Sequence, residues 1–213
     1  MLYLDHDIDV PGIEEISVPF MNDGGPLIIL TRELVANWRG IQPDINGENR
    51  ATPMDDLMPE FAGTDYAIAC SASGWVDVIT VRNGKAIAIG AGDQANDVQW
   101  LRLQGVAGVM LVMPVGCEPH FLTLLMPQLQ RSLPDDWEHK YDGLHVDSGD
   151  LVLIHASDTG SDVSDASDNT YASIGMSLPI HIESGVCDVL ERTIMLSDES
   201  TVVICRFAPT VIV

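Results

Sequence analysis

With 213 residues, 46% of them hydrophobic and 20% charged, the chain is long enough for one compact domain or two small ones, and too apolar to be disordered. Its 32 Asp and Glu stand against 10 Lys and Arg, a formal net charge of −22 and a pI near 4.2. A field of that sign repels nucleic acid and anionic membranes, so no nucleic-acid or membrane partner is expected, and a basic partner is favoured. No run approaches the ~20 apolar residues of a membrane span, and no basic leader precedes an apolar segment, so the expected location is cytoplasmic.

The chain opens with Asp5-His6-Asp7-Ile8-Asp9, which reads as a solvated tail because a divalent-ion loop needs a shaped turn. Ile16 to Phe20 and Leu27 to Leu30, separated by Asn22-Asp23-Gly24-Gly25, predict a hairpin. Thr31 is placed to cap a short helix in which Leu34, Val35 and Trp38 share one face, and Gly40 stands where the chain would turn left-handed. Residues 41 to 63, with three prolines and two glycines, read as a long loop with a helical turn near Met54 to Met58.

A meander of strands is expected next: Tyr66 to Cys70, Trp75 to Val81, Ala86 to Ile89 across an Asn83-Gly84 turn, Val98 to Leu103, and Val109 to Met113. A helix starts near Glu118 with Pro119 in its first turn and presents Phe121, Leu122, Leu124, Leu125 and Leu129, to be kinked or ended by Pro127.

From Asp135 to Asp168 there are ten acidic residues and one lysine, interrupted by a strand over Asp150 to Ala156. Asp158, Asp162, Asp165 and Asp168 decorate a Ser/Asp/Gly stretch that reads as a mobile surface loop. The remainder is strand: Tyr171 to Leu178 stopped by Pro179, Val186 to Leu196, a Ser197-Asp198-Glu199-Ser200 turn, and Thr201 to Phe207. In the last strand Val203, Cys205 and Phe207 share one face and Val202, Ile204 and Arg206 the other, the pattern of a central strand. The fold class expected is α+β with mostly antiparallel strands: an α+β module over 1–131, then a β-rich part over 132–213, a small sandwich or curved sheet that is either a second domain or a continuation of the first.

Signatures of chemistry are sparse. The six histidines, His6, His120, His139, His145, His155 and His181, form no HxH or HExxH, and His155 within an apolar strand reads as a structural residue. Ser71-Ala72-Ser73-Gly74 lacks the flanking glycines and following helix of a nucleophile elbow, and Gly90-Ala91-Gly92-Asp93 lacks the third glycine of a dinucleotide loop. Cys70, Cys117, Cys187 and Cys205 have no metal spacing and read as free buried thiols. No catalytic residue, metal site or cofactor is expected.

Three runs in order, Gly24-Gly25-Pro26-Leu27-Ile28-Ile29-Leu30-Thr31-Arg32-Glu33-Leu34 through Trp38-Arg39-Gly40, then Asp65-Tyr66-Ala67-Ile68-Ala69-Cys70, then Gly84 to Asp93 followed by Trp100-Leu101, resemble the Imm21 family of immunity proteins from bacterial polymorphic toxin systems. The likeness covers roughly residues 16 to 113 and, more loosely, the β-rich C-terminal part; where the family more often has an acidic-Pro turn this chain has Gln94-Ala95-Asn96-Asp97. The resemblance implies a non-enzymatic protein that neutralises a cognate toxin domain by stoichiometric occlusion. With the charge, it makes a basic toxin, such as a nuclease domain, the expected partner. The expected contact residues are Asp135, Asp136 and the aromatic anchor Trp137 in one stretch, and Asp158, Asp162, Asp165 and Asp168 in another. A metal-dependent or hydrolytic enzyme using Asp and His, and a non-catalytic assembly module, stand as alternatives.

Overall fold

The computed structural model describes residues 10–21, 25–42, 52–82, 84–90, 97–117, 120–131, 136–165 and 175–210. The Asp5 to Asp9 run, the turn residues Asn22, Asp23 and Gly24, Asn83, Ala91 to Asn96, Pro119, Asp135, Asp168 and the expected strand residues Tyr171 to Ile174 lie outside them. In chain order the elements are β1 (Ile13–Ile16), β2 (Leu27–Thr31), α1 (Arg32–Val35), α2 (Asp65–Cys70), β3 (Val76–Val81), β4 (Gly84–Ile89), β5 (Gln99–Leu103), β6 (Val109–Val115), α3 (Phe121–Arg131), β7 (Glu138–Val146), β8 (Asp150–His155), β9 (Ser164–Asp165), β10 (Met176–His181), β11 (Gly185–Met195) and β12 (Thr201–Pro209).

The strands form two six-stranded sheets, ordered β1-β5-β6-β12-β11-β7 and β3-β4-β2-β8-β10-β9. All pairings are antiparallel except the short β9–β10 contact. Each sheet takes strands from both sides of residue 131, and β2 sits between β4 and β8.

Strands apolar on both faces must be covered twice, and four layers achieve this. Leu27 and Ile29 of β2, Leu151 and Leu153 of β8, and Val203, Cys205 and Phe207 of β12 meet in the core between the sheets. Val202 and Ile204, on the other face of β12, pack with Phe121, Leu122, Leu125, Met126 and Leu129 of α3. Ile28 and Leu30, on the other face of β2, pack with Val35, Trp38 and Ala69. Each fully buried Leu, Ile or Phe contributes about 1.5–3 kcal/mol, so the alternating faces of β2 and β12 fix the layer order. The expected central placement of β12 holds, as does the left-handed Gly40, at φ 58°.

Several local expectations fail for identifiable reasons. Asp65–Cys70 is a helix, not a strand: Thr64 Oγ1 accepts from the Ala67 amide at 3.2 Å, Asp65 occupies the first turn, and a short apolar run fits either structure until a cap decides. The predicted N-terminal hairpin does not form. Phe20 bridges to Val98 and β1 pairs with β5, whereas β2 enters the opposite sheet. Thr31 precedes α1 but makes no capping bond, because it is the last residue of β2 and pairs with Leu151.

Gly84 pairs with Val81, placing it in β4 rather than in the turn, and Arg82 takes the left-handed conformation at φ 49°. Pro127 does not end α3; it is exposed, on a water-facing stretch with Thr123 and Leu124, where the hydrogen bond missing from the Thr123 carbonyl costs little. Pro179 does not end β10. The β9 pairing reaches only Met176 and Ser177, so Pro179 is at an open edge, and its carbonyl accepts the Trp100 indole N–H at 2.8 Å.

Candidate functional site

The segment after β8 is laced to the exit of α1. The Trp38 indole donates to the Ala156 carbonyl at 3.0 Å, the Ile41 amide to Ser157 O at 3.3 Å, and the Gly160 amide to Trp38 O at 2.9 Å. Asp158 Oδ2 accepts the Gly175 amide at 2.8 Å. Asp165 Oδ1 accepts from the Ser177 hydroxyl at 2.7 Å and from the Arg32 guanidinium at 3.1 Å, and these two, the hydroxyl first, hold its carboxyl below the usual range. Asp162 is exposed and among the described residues accepts from Ser161 Oγ, at 3.1 Å. Of the three described aspartates here, two are therefore structural acceptors, and Asp162 faces solvent with no ion-pair partner among the described residues.

The other predicted stretch lies elsewhere. Asp136 is exposed and pairs with Arg192 at 3.5 Å. Trp137 is half-buried against the α3 side of the first sheet, with the Arg206 guanidinium 5.6 Å above its ring. Burial lowers the Arg206 pKa. Because Trp137 packs on the outer face of one sheet and Val163, between Asp162 and Asp165, on the outer face of the other, the two stretches are not one patch.

Between the sheets, Glu191 of β11 is 8% exposed and its Oε2 accepts the Val76 amide of β3 at 3.0 Å. Lys140 bridges Glu191 at 3.2 Å and Glu138 at 2.8 Å; desolvation opposes its charge, but the two carboxylates outweigh that and raise its pKa. Arg102 pairs with Glu15 at 3.3 Å. Four cations are thus spent inside the molecule on Glu15, Asp136, Asp165 and the Glu138–Glu191 pair.

His155, Ser71 and Ser73 are engaged in structure. His155 is 3% exposed, has Nε2 2.9 Å from Met21 O and stacks on Phe20 at 5.1 Å. Ser71 caps α2 and donates to Ile68 O, and Ser73 binds Asp77. All four cysteines are free thiols; burial pushes Cys187 up to about 12 and raises Cys70, Cys117 and Cys205. Cys70 lines a shallow recess of about 520 Å³ with Met54, Met58, Tyr66 and Trp75, where burial also pushes the Tyr66 phenol up to about 12. Such groups are protonated at neutral pH and are poor nucleophiles. Among the described residues no three His, Cys, Asp or Glu gather as a metal site, and no helix is long and apolar enough to cross a membrane.

A second recess, of about 500 Å³, opens beside β7 and the β3–β4 hairpin and is lined by Arg82, Lys85, Tyr141 and His145 among others. The tight-turn signal at Asn83-Gly84 placed Arg82 and Lys85 close together, but nothing local announced that β7, more than fifty residues on, would face them. No family model, no curated protein and no solved structure matches this chain.

Proposed function

We propose that the chain is an immunity protein that binds a basic toxin domain and blocks it by occlusion in the cytoplasm. The observation that carries the reading is how the charge is distributed. Arg32, Arg102, Lys140 and Arg192 are each held by carboxylates of the same chain, and the chain as a whole carries a formal charge of −22. Such a field accelerates encounter with a positively charged partner and discriminates against anionic ones. The order of the three sequence runs resembling Imm21 supports the same class.

Asp162 is the better candidate for direct contact than Asp158 or Asp165, whose carboxylates already serve the fold. The test is co-expression with the toxin-like domain encoded immediately upstream in the genome, scoring host survival and co-purification at low and high salt. Rescue with a complex that weakens as salt rises supports the reading. No rescue and no complex, with both proteins folded and the toxin active, sinks that pairing.

A further inference from the structure

The recess beside β7 carries two cations, unexpected for so acidic a chain. Arg82 in the β3–β4 turn and Lys85 in β4 both line it, and neither has a carboxylate ion-pair partner among the described residues. The Lys85 ammonium donates to Thr80 Oγ1 at 2.8 Å and lies 5.9 Å from the centre of the Tyr141 ring, leaving two of its three N–H groups. Arg82 occupies a left-handed turn position, φ 49°, where Asn or Gly is the low-cost choice. A guanidinium placed there at a backbone cost, with no described carboxylate pairing with it, points to a negative group from outside.

The carboxylates in the recess do not fill that role. Glu33 is held in its ionised form first by its own backbone amide and then by Ser148, and Asp147 is exposed. Along the adjoining edge of β3 the Val76 amide is already taken by Glu191 at 3.0 Å and the Val78 amide by Asp77 at 2.8 Å, which disfavours an added strand. A volume of about 500 Å³ is that of a small-molecule site. The partly buried Leu34, the buried Leu144 and the Tyr141 ring offer apolar surface beside the two cations.

We infer that this recess is a binding site for a small organic carboxylate, its anionic group held between Arg82 and Lys85 and its body against Tyr141 and Leu144. The inference is independent of any toxin. The experiment is a ¹H–¹⁵N NMR titration of the full chain with sodium benzoate, with sodium phosphate and sodium chloride at matched ionic strength as separate arms. Benzoate is expected to shift the Arg82, Gly84, Lys85, Tyr141 and Gly143 amides saturably, and Arg82→Gln with Lys85→Gln to weaken binding at least about tenfold, the loss of charge-assisted contacts.

Shifts that fail to saturate, that chloride reproduces, or that persist with unchanged affinity in the double variant overturn it. Saturation by phosphate without benzoate overturns the carboxylate assignment. If the double variant loses its dispersed spectrum, Lys85→Gln alone is judged by the same criterion, and the wild-type shift map must still fall on the recess.

Discussion

Glu191 reaches from β11 of one sheet to accept the Val76 amide of β3 in the other, at 3.0 Å, while holding Lys140 at 3.2 Å. One carboxylate thus closes a sheet edge, joins the two layers and neutralises a partly buried ammonium. Removing it by Glu191→Ala leaves the amide unpaired and Lys140 with Glu138 alone, and is expected to cost about 2–4 kcal/mol. Glu191→Gln keeps an acceptor and should cost about 1 kcal/mol. Urea denaturation at neutral pH checks both; an alanine variant within about 0.5 kcal/mol of the glutamine variant would refute the amide-capping role.

Asp165 carries a pH dependence whose sign is fixed by its partners. Ser177 and then Arg32 stabilise the carboxylate, so its folded pKa lies below the ordinary 3.8. The stabilisation is complete above that ordinary value and is lost as pH falls through the folded pKa. The side chain is 57% exposed, so solvent screening holds the ion-pair contribution below about 1 kcal/mol. Overall acid stability also reflects relief of self-repulsion in a chain of charge −22, so the informative quantity is a difference. Asp165→Asn should melt lower than the wild type at pH 7, with the gap shrinking below about pH 4. A gap that does not change between pH 7 and pH 3 contradicts the assignment.

The contrast between Asp165 and β12 shows what was legible in the sequence. The alternation of Val203, Cys205 and Phe207 against Val202 and Ile204 is a local pattern, and each set reached a different core, as the period of two requires. Tyr66 to Cys70 carried both readings, and the deciding residue, Thr64, stood just outside the apolar run. Pairings between distant strands left no local trace: Phe20 and Leu27 are seven residues apart yet belong to opposite sheets. The site suffered in the same way. An aspartate in a Ser/Asp/Gly stretch looks uncommitted until Arg32, 133 residues away, is found to bind it.

Trp38 is fully buried and its indole donates to Ala156 O at 3.0 Å, pinning the segment after β8 to the α1 layer. Trp38→Phe retains most of the packing but strands that carbonyl, with an expected loss of about 1–3 kcal/mol. Trp38→Ala adds a cavity and should cost about 3–5 kcal/mol. Equal losses for the two variants, measured by chemical denaturation, would mean the hydrogen bond carries everything and the packing nothing.

Thiol labelling tests the core directly. Cys117, Cys187 and Cys205 are buried, and burial raises the pKa of all four thiols, so thiolate is scarce in the folded protein at neutral pH. Iodoacetamide at neutral pH should modify Cys70 slowly and the other three only after denaturant is added, as read by intact mass and peptide mapping. Alkylation of Cys187 or Cys205 in the native protein at the unfolded rate would contradict their placement between the sheets.

The two acidic stretches lie on opposite outer faces, so if the chain is the inhibitor proposed above, a single partner cannot use both equally. Asp136 is already opposed by Arg192 at 3.5 Å, whereas Asp162 has no ion-pair partner among the described residues. Reversing a compensated charge changes the local field less than reversing an uncompensated one at the contact. Asp162→Lys should therefore slow association with the toxin roughly three- to tenfold at low ionic strength, with the effect fading as salt approaches physiological levels, while Asp136→Lys should leave the rate nearly unchanged. Stopped-flow association at several salt concentrations separates the cases. The reverse order would place the partner on the Trp137 face, and equal small effects for both variants would mean that the net charge steers encounter without either stretch forming the contact.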